Sequence, residues 1–319
     1  MVVSGASGYV ASALLARLGG CAASVVRISR APLPAWTGRA ACSDMIGDLR
    51  DAKLWNEAVP GADAVFHLAA QTSVYTAAKD PDADFAANVE PMRRLLEACR
   101  PLERRPFVVF AGSVTQCGLP ARLPVDESFP DEPVTMYDLH KLLAERALEG
   151  YCRQGLARGV TLRLPNIYGP GPKSGSADRG VLNAMVLRAL RGEPLTIYGT
   201  GDAVRDYLFI DDTAEAFLAA GTGRPGLDGR HFVLGSGLGT TLADAFRLVS
   251  ERVAAKTGRR VPVSSVPEPA GMSAIEKRRF IADPSAFVQT AGWKPLVDLE
   301  EGLDRLIDYA RDAAVGAKG

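Results

Sequence analysis

A doubly wound α/β fold, built on a parallel sheet and followed by a smaller α/β unit, is what the 319-residue sequence predicts, on three observations. Short β-rich runs alternate with helix-period segments through the first half, the pattern of right-handed crossovers and a sheet covered on both faces. A glycine-rich turn joins the first apolar run to the first helical stretch. Near residue 166 the texture changes to a Gly/Pro-rich stretch and then further short strands and helices. No Ser/Gly-rich linker separates the halves, so the second is expected to pack onto the first.

The elements follow in order. Val2-Val3 lead into Gly5 as an opening run shorter than a usual strand of ~5–6 residues, so either the strand is short or the natural start lies upstream. A helical pattern covers 9–18 and a strand 24–28, and Gly47-Asp48-Leu49 follows a short apolar run. The runs at 64–68 and 107–111 have strand length, with a helical pattern at 85–99 between them. A long helix is predicted over 135–152 and a strand over 160–164. Residues 167–176 read as a loop. Beyond it come a helix at 181–191, short runs at 195–198 and 207–210, and helices at 213–220 and 242–255. An irregular stretch at 263–277 and a helix at 300–312 precede a frayed tail.

Composition excludes several function classes. Lys plus Arg and Asp plus Glu each total 37, so net charge is zero and nothing supports binding to nucleic acid or a membrane surface. Cys21, Cys42, Cys99, Cys117 and Cys152 are odd in number and scattered, without a C-x-x-C pair. Neither a disulfide framework nor a metal site is expected. No apolar run of ~18 residues suggests a membrane span, and the N-terminus lacks the features of a signal peptide, so a cytoplasmic protein is expected.

The turn Gly5-Ala6-Ser7-Gly8-Tyr9-Val10-Ala11 follows a strand and opens a helix. Glycines there let backbone N–H groups approach a pyrophosphate, which a helix N-terminus also favours. A Rossmann-type dinucleotide site is the reading, with residues 1–165 as the NAD(P)-binding unit, to which later segments can return. Residues 166–319 then mainly form the substrate unit. Strand two ends Val25-Val26-Arg27-Ile28-Ser29-Arg30, without the acid that would hold the ribose of NAD. Ser29 and Arg30 stand where a 2′-phosphate would be met, which favours NADP(H) over NAD(H); the alternative is that Arg30 is a solvated surface charge. Asp48 is placed either to accept from the adenine amine or to cap the next helix.

Tyr137 and Lys141 stand at i and i+4, on one face of the long helix. A free phenol titrates near ~10, and an adjacent ammonium moves it toward the working range. Ser113, at the end of the 107–111 strand, is suited to hydrogen-bond a substrate oxygen beside that tyrosine. Ser, Tyr and Lys in this order behind a glycine turn form a specific combination. His67 reads as structural, and His140 and His231 carry no catalytic signal.

With these residues in place, the chain resembles the extended short-chain dehydrogenase/reductases of the nucleotide-sugar epimerase/dehydratase family over nearly its whole length. The resemblance rests on Gly5 to Ala11, Gly47-Asp48-Leu49, His67-Leu68-Ala69-Ala70, Asn88, Ser113, Tyr137 and Lys141. It continues through Arg163-Leu164-Pro165-Asn166-Ile167-Tyr168-Gly169-Pro170-Gly171, Arg205-Asp206-Tyr207 and Gly292-Trp293-Lys294-Pro295. The family implies a nucleotide-diphosphate sugar substrate and a homodimer, often through a four-helix bundle. It implies cofactor contacts at Gly5, Ser7, Gly8, Tyr9, Val10, Asp48, Leu49, Leu68, Ala69, Ala70, Tyr137, Lys141 and Pro165, and substrate contacts at Thr115, Asn166 and Arg205. Asn166 and Arg205 match positions that bind the diphosphate. Taken alone they read as a turn residue and a partner of Asp206.

Departures from the family pattern narrow the reaction. Val114 and Thr115 stand where related dehydratases carry an Asp-Glu pair and decarboxylases a glutamate, which disfavours both chemistries. An NADPH-dependent reductase of an NDP-4-keto-hexose, as in CDP-abequose synthase-type enzymes, leads on the strength of Ser29-Arg30. An NAD-dependent UDP-hexose 4-epimerase is the alternative. Cys117 in place of a common tyrosine counts against it, as does the lack of arginine in 271–277, where related epimerases place a second diphosphate ligand, although Arg278 and Arg279 follow closely. A third reading, a non-catalytic dinucleotide sensor, is disfavoured because Tyr137 and Lys141 are both present.

Overall fold

The computed structural model describes residues 1–20, 24–172 and 180–316. Cys21, the end of the expected 167–176 loop and the last residues of the tail lie outside the described residues.

The first six strands are β1 (Val2–Ser4), β2 (Val25–Ser29), β3 (Cys42–Ile46), β4 (Ala64–His67), β5 (Phe107–Ser113) and β6 (Arg158–Leu164). They are joined in one sheet by a later strand, β10 (Arg230–Val233), in the order β10-β6-β5-β4-β1-β2-β3, with every pair parallel. The side-chain period of two divides the apolar residues between the faces. Val3, Phe66 and Val109 enter one core with Leu14, Leu15, Phe217 and Trp293. Val2, Val65, Val108 and Phe110 enter the other with Trp55, Leu95 and Leu148. The doubly wound α/β expectation is met.

The strand order reverses between β1 and β4, and open α/β sheets bind ligands at such a switch point, outside the carboxyl ends of the strands. The turn beginning at Gly5, the Leu68-Ala69-Ala70 segment and Pro165 follow strands that end on that edge, and Ser113 is the last residue of another.

The remaining strands are β7 (Asn166–Tyr168), β8 (Leu195–Tyr198), β9 (Val204–Phe209), β11 (Gly239–Thr241) and β12 (Val263–Val266). They form a three-stranded sheet β11-β9-β7 and a two-stranded sheet β12-β8. A third core of Tyr168, Val186, Ile197, Phe209, Phe246, Val249, Leu303 and Ile307 lies among them and their helices.

Several expectations are corrected. Residues 166–168 form a strand paired with β9, not the start of a loop. The stretch at 263–277 contains β12 and a short 3₁₀ turn, Ala274–Lys277. The helix expected over 85–99 is two helices, Pro81–Asn88 and Glu90–Cys99, because Pro91 fits the first turn of a new helix but lacks the N–H that would continue the old one. The long helix runs Met136–Arg153.

Candidate active site

Gly5 has φ +70, and a Cβ there would lie 2.7 Å from the Ala69 backbone. Only glycine allows the β1 turn to press against the end of β4 in this way. Gly8 caps the helix Tyr9–Leu18, and a Cβ on it would meet Gly5 O at 2.9 Å. Ser7 is exposed at the helix N-terminus. The turn's own N–H groups are partly used, Ala6 N donating to Ile28 O and Gly8 N to Gly5 O, so it is the helix N-terminus that this cradle presents to a pyrophosphate.

Beneath the cradle His67 is fully buried, its Nδ1 paired with the Ser4 hydroxyl at 2.7 Å. Its ring stacks on Phe110 and meets Trp55 edge-on. Burial, with the Lys141 charge nearby, pushes its pKa down to about 3, so the ring is neutral and part of the core.

The cofactor's adenosine end would lie toward β2. There Ser29 is buried and its hydroxyl donates to Ala31 O, while Arg30 is exposed. Asp48 does not cap the next helix; Asp51 does, accepting from Lys53 N at 2.9 Å. Asp48 instead holds Arg50, whose guanidinium draws the carboxyl below its usual range. Leu49 accepts from Trp55 Nε1 through its carbonyl. Leu68 and Ala69 are half-buried, as are Val10 and Pro165, and Ala70 is exposed.

Ser113 ends β5, and its Oγ lies 2.7 Å from Thr115 Oγ1. The helix bearing Tyr137 is fixed at its start by a reciprocal cap: Asp138 N donates to Thr135 Oγ1 and Thr135 N to the Asp138 carboxylate. Tyr137 therefore lies in the first helical turn, buried against Val74, Ala77 and Ile275. One turn on, the buried Lys141 places Nζ 4.1 Å from the centre of the Phe110 ring, three residues before Ser113. Asp138 bonds to Thr115, and burial raises its pKa. These two contacts hold the helix against Phe110 and Thr115, which flank Ser113 in the sequence.

Asn166, at the start of β7, accepts from Arg278 Nη2 at 3.1 Å. Arg205 is buried and gives its donors to the carbonyls of Val204, Glu276 and Arg278. The Arg205–Asp206 pair weighed from sequence does not form, because successive strand residues point to opposite faces. Asp206 instead accepts from the backbone of Ser236, Gly237 and Ala282. Cys117 is buried beside Val125 and Phe280, where burial pushes its thiol up to about 11.

Sequence reasoning missed Arg278 as a partner of Asn166 and missed the locking of Tyr9. The Tyr9 hydroxyl donates to Gly169 O at 2.6 Å, and Asn183 Nδ2 donates to both oxygens, joining the glycine-turn helix to the end of β7. No local spacing marks contacts so distant in sequence. Among the described residues no group of His, Cys, Asp and Glu could hold a metal, and no helix is long and apolar enough to cross a membrane.

Residues 1–235 match the model of the NAD dependent epimerase/dehydratase family. A UDP-glucose 4-epimerase of Mycolicibacterium smegmatis is 29% identical over 250 residues, 78% of this chain and 76% of that protein. The crystal structure of a Thermotoga maritima UDP-glucose 4-epimerase with UDP-glucose superposes with a TM-score of 0.85 at 27% identity, covering 98% of this chain and 99% of the other. A Thermus thermophilus UDP-glucose 4-epimerase complexed with NAD gives 0.81 at 28% identity, with 98% and 99% covered.

Proposed function

This chain belongs to the NAD dependent epimerase/dehydratase family, and on that premise we propose that it inverts C4 of a UDP-hexose, using NAD. It is an enzyme of the NAD(P)-dependent short-chain dehydrogenase/reductase type, so the sensor reading is set aside. The observation that supports the proposal is that Lys141, one turn beyond Tyr137, packs on Phe110 of β5 while Asp138 of the same helix bonds to Thr115, which brings that helix to the strand end that bears Ser113. The names of the relatives support epimerisation above reduction.

A bound nicotinamide supplies the acceptor and the returning donor of hydride at C4. The chain's own residues handle the oxygen. Tyr137, as the phenolate that the Lys141 ammonium and the helix N-terminus favour, takes the proton of the C4 hydroxyl, stands as the neutral phenol while the 4-keto sugar turns over, and then returns the proton to the C4 oxygen. Ser113 donates a hydrogen bond to the same sugar oxygen, beside Thr115. Val114, buried at 3% exposure beside Ser113, offers no carboxyl for eliminating water. Asn166 and Arg278 hold the diphosphate, with Arg205 fixing the segment that carries Arg278. A homodimer belongs to the same proposal: Phe85 and Leu143, on contacting helices, stay 39% and 41% exposed.

One observation favours the reductase instead: β2 ends without an acid, and the exposed Arg30 is close enough to act on the Asp48 charge. Denaturing the purified protein and identifying the released nucleotide separates the two. Tightly held NAD, with conversion of UDP-galactose to UDP-glucose, is the expected result. An empty site that prefers NADPH and reduces a UDP-4-keto-hexose would overturn it.

A further inference from the structure

Behind Ser113, on the side away from the Gly5 cradle, the chain buries an unusual amount of charge. Gln116 is fully buried in the 3₁₀ turn that follows β5. Its Oε1 accepts from Ser113 N at 2.9 Å, and its Nε2 donates to Glu145 Oε2 at 3.0 Å. Glu145, 1% exposed on the Tyr137 helix, is gripped by Arg163 of β6 through Nε at 3.0 Å and Nη2 at 2.5 Å. Arg163 Nη1 reaches Asp131 at 2.7 Å, and Asp131 also meets Arg146. Burial works against the Arg163 charge, but Glu145 and Asp131 outweigh it and its pKa is raised.

Such a network is a poor device for stability, since apolar residues of like volume serve as well or better. Its geometry has another product. The Ser113 N–H, at the end of β5, is held by a side chain that is itself anchored to a fixed ion pair. Gly112 leaves no space for a Cβ, which would lie 2.6 Å from Thr161 Cγ2 on β6 and 3.3 Å from Gln116 Oε1. An amide is required at 116: Ser113 N–H needs an acceptor and Glu145 needs a donor, and one neutral side chain supplies both.

We propose that Gln116 is a positioning residue that fixes Ser113, and hence the direction of its hydroxyl, by linking the Ser113 backbone to the Glu145–Arg163 pair. The proposal rests on the reading of Ser113 as the hydroxyl that faces the sugar. A misplacement of about 1 Å in such a group costs up to ~100-fold in rate.

The test replaces Gln116 by Glu. That carboxyl keeps the acceptor for Ser113 N–H but can donate to Glu145 only when protonated, so the two carboxyls share one proton. Facing them are Arg163 from β6, the His231 ring 3.7 Å away on β10, and Asp131 with Arg146 beyond. Burial, with the Arg163 charge nearby, lowers the His231 pKa, and the wild type carries the same ring as the control. The Cys117 thiol, pushed up to about 11, stays neutral.

The expected result is that Gln116→Glu has near wild-type kcat at low pH and loses it reversibly, by 10-fold or more, as pH rises through a range where the wild type is flat. KM for the UDP-sugar and the bound-cofactor content should stay unchanged. Gln116→Leu should lower kcat at every pH. If Gln116→Leu does not fold, the reversible profile of Gln116→Glu still decides the matter. Wild-type kcat in Gln116→Glu at every pH, or a loss that is the same at every pH, would overturn the proposal. The profile is read with whichever of UDP-galactose or a UDP-4-keto-hexose plus NADPH turns over, so failure of the epimerase reading leaves it intact. In a Ser113→Ala background the pH effect should vanish. Its survival there would show that Gln116 does not act through Ser113.

Discussion

Acid should unfold this protein from beneath its cofactor cradle, through His67. An unfolded histidine binds a proton below pH ~6.5, whereas His67, buried under the Ser4–Gly5 turn, resists protonation down to about 3. Between those values the unfolded state holds the extra proton, so stability rises with pH in that window and is lost as pH falls. Each pH unit below 6.5 is worth a little over 1 kcal/mol, so acidification from pH 7 to 4.5 should remove on the order of 3 kcal/mol through this ring alone. Other buried groups, such as Asp138 and Asp206 with their raised pKa values, titrate in both proteins of a matched pair. The measurement is urea unfolding at pH 7 and 4.5 for the wild type and His67→Gln, which keeps a polar partner for Ser4 but has no titrating ring. His67→Gln is expected to start less stable and lose less. Parallel losses in the two proteins would refute the idea that the ring is sealed in the neutral form.

Three further predictions concern the site. Gly5→Ala must accept φ +70 and a contact at 2.7 Å with the Ala69 backbone. It should cost at least 1–2 kcal/mol from the backbone alone and abolish cofactor binding, read by thermal shift and NAD titration. Tyr137→Phe should retain bound cofactor, measured by absorbance after denaturation, and lose turnover by more than 1,000-fold; full activity would sink the proton role. Arg205→Lys removes the fork that reaches the Glu276 and Arg278 carbonyls. It should raise the Kd for UDP, measured calorimetrically, by 10-fold or more while sparing NAD binding.

The fold was legible where signals are local. The glycine turn, the apolar runs of β4 and β5, and the 3.6-residue period of the Tyr137 helix are each contained in a short window, and each is found where expected. The break between Asn88 and Glu90 was missed because apolar periodicity continues through it, although Pro91 marks it. β7 was hidden by the Gly- and Pro-rich sequence that follows, since its pairing partner, β9, lies some 40 residues on. At the site, Tyr137, Lys141 and Ser113 could be listed from spacing. The partners that orient them could not. Gln116 finds Glu145 across 29 residues, Arg205 finds Arg278 across 73, and neither pair leaves a mark in a sequence window. Nor does the β2 end declare its ligand: Ser29 turns its hydroxyl to Ala31, a choice made by the backbone turn.

The late strand β10 has a consequence for the order in which the chain can assemble. It pairs along β6 from Arg230 to Val233, after the whole excursion of residues 165–229 has been made. On the ribosome β6 is therefore the open rim of a parallel sheet, with unpaired N–H and C=O groups, until some 70 more residues have emerged. Closing so long an excursion adds little entropy beyond a shorter one, but it delays completion. A fragment ending near residue 165 would leave that rim uncovered, with Leu162 deprived of Phe232. Nascent chains stalled there should be clients for chaperones, and the two halves cannot be separated by a single cut.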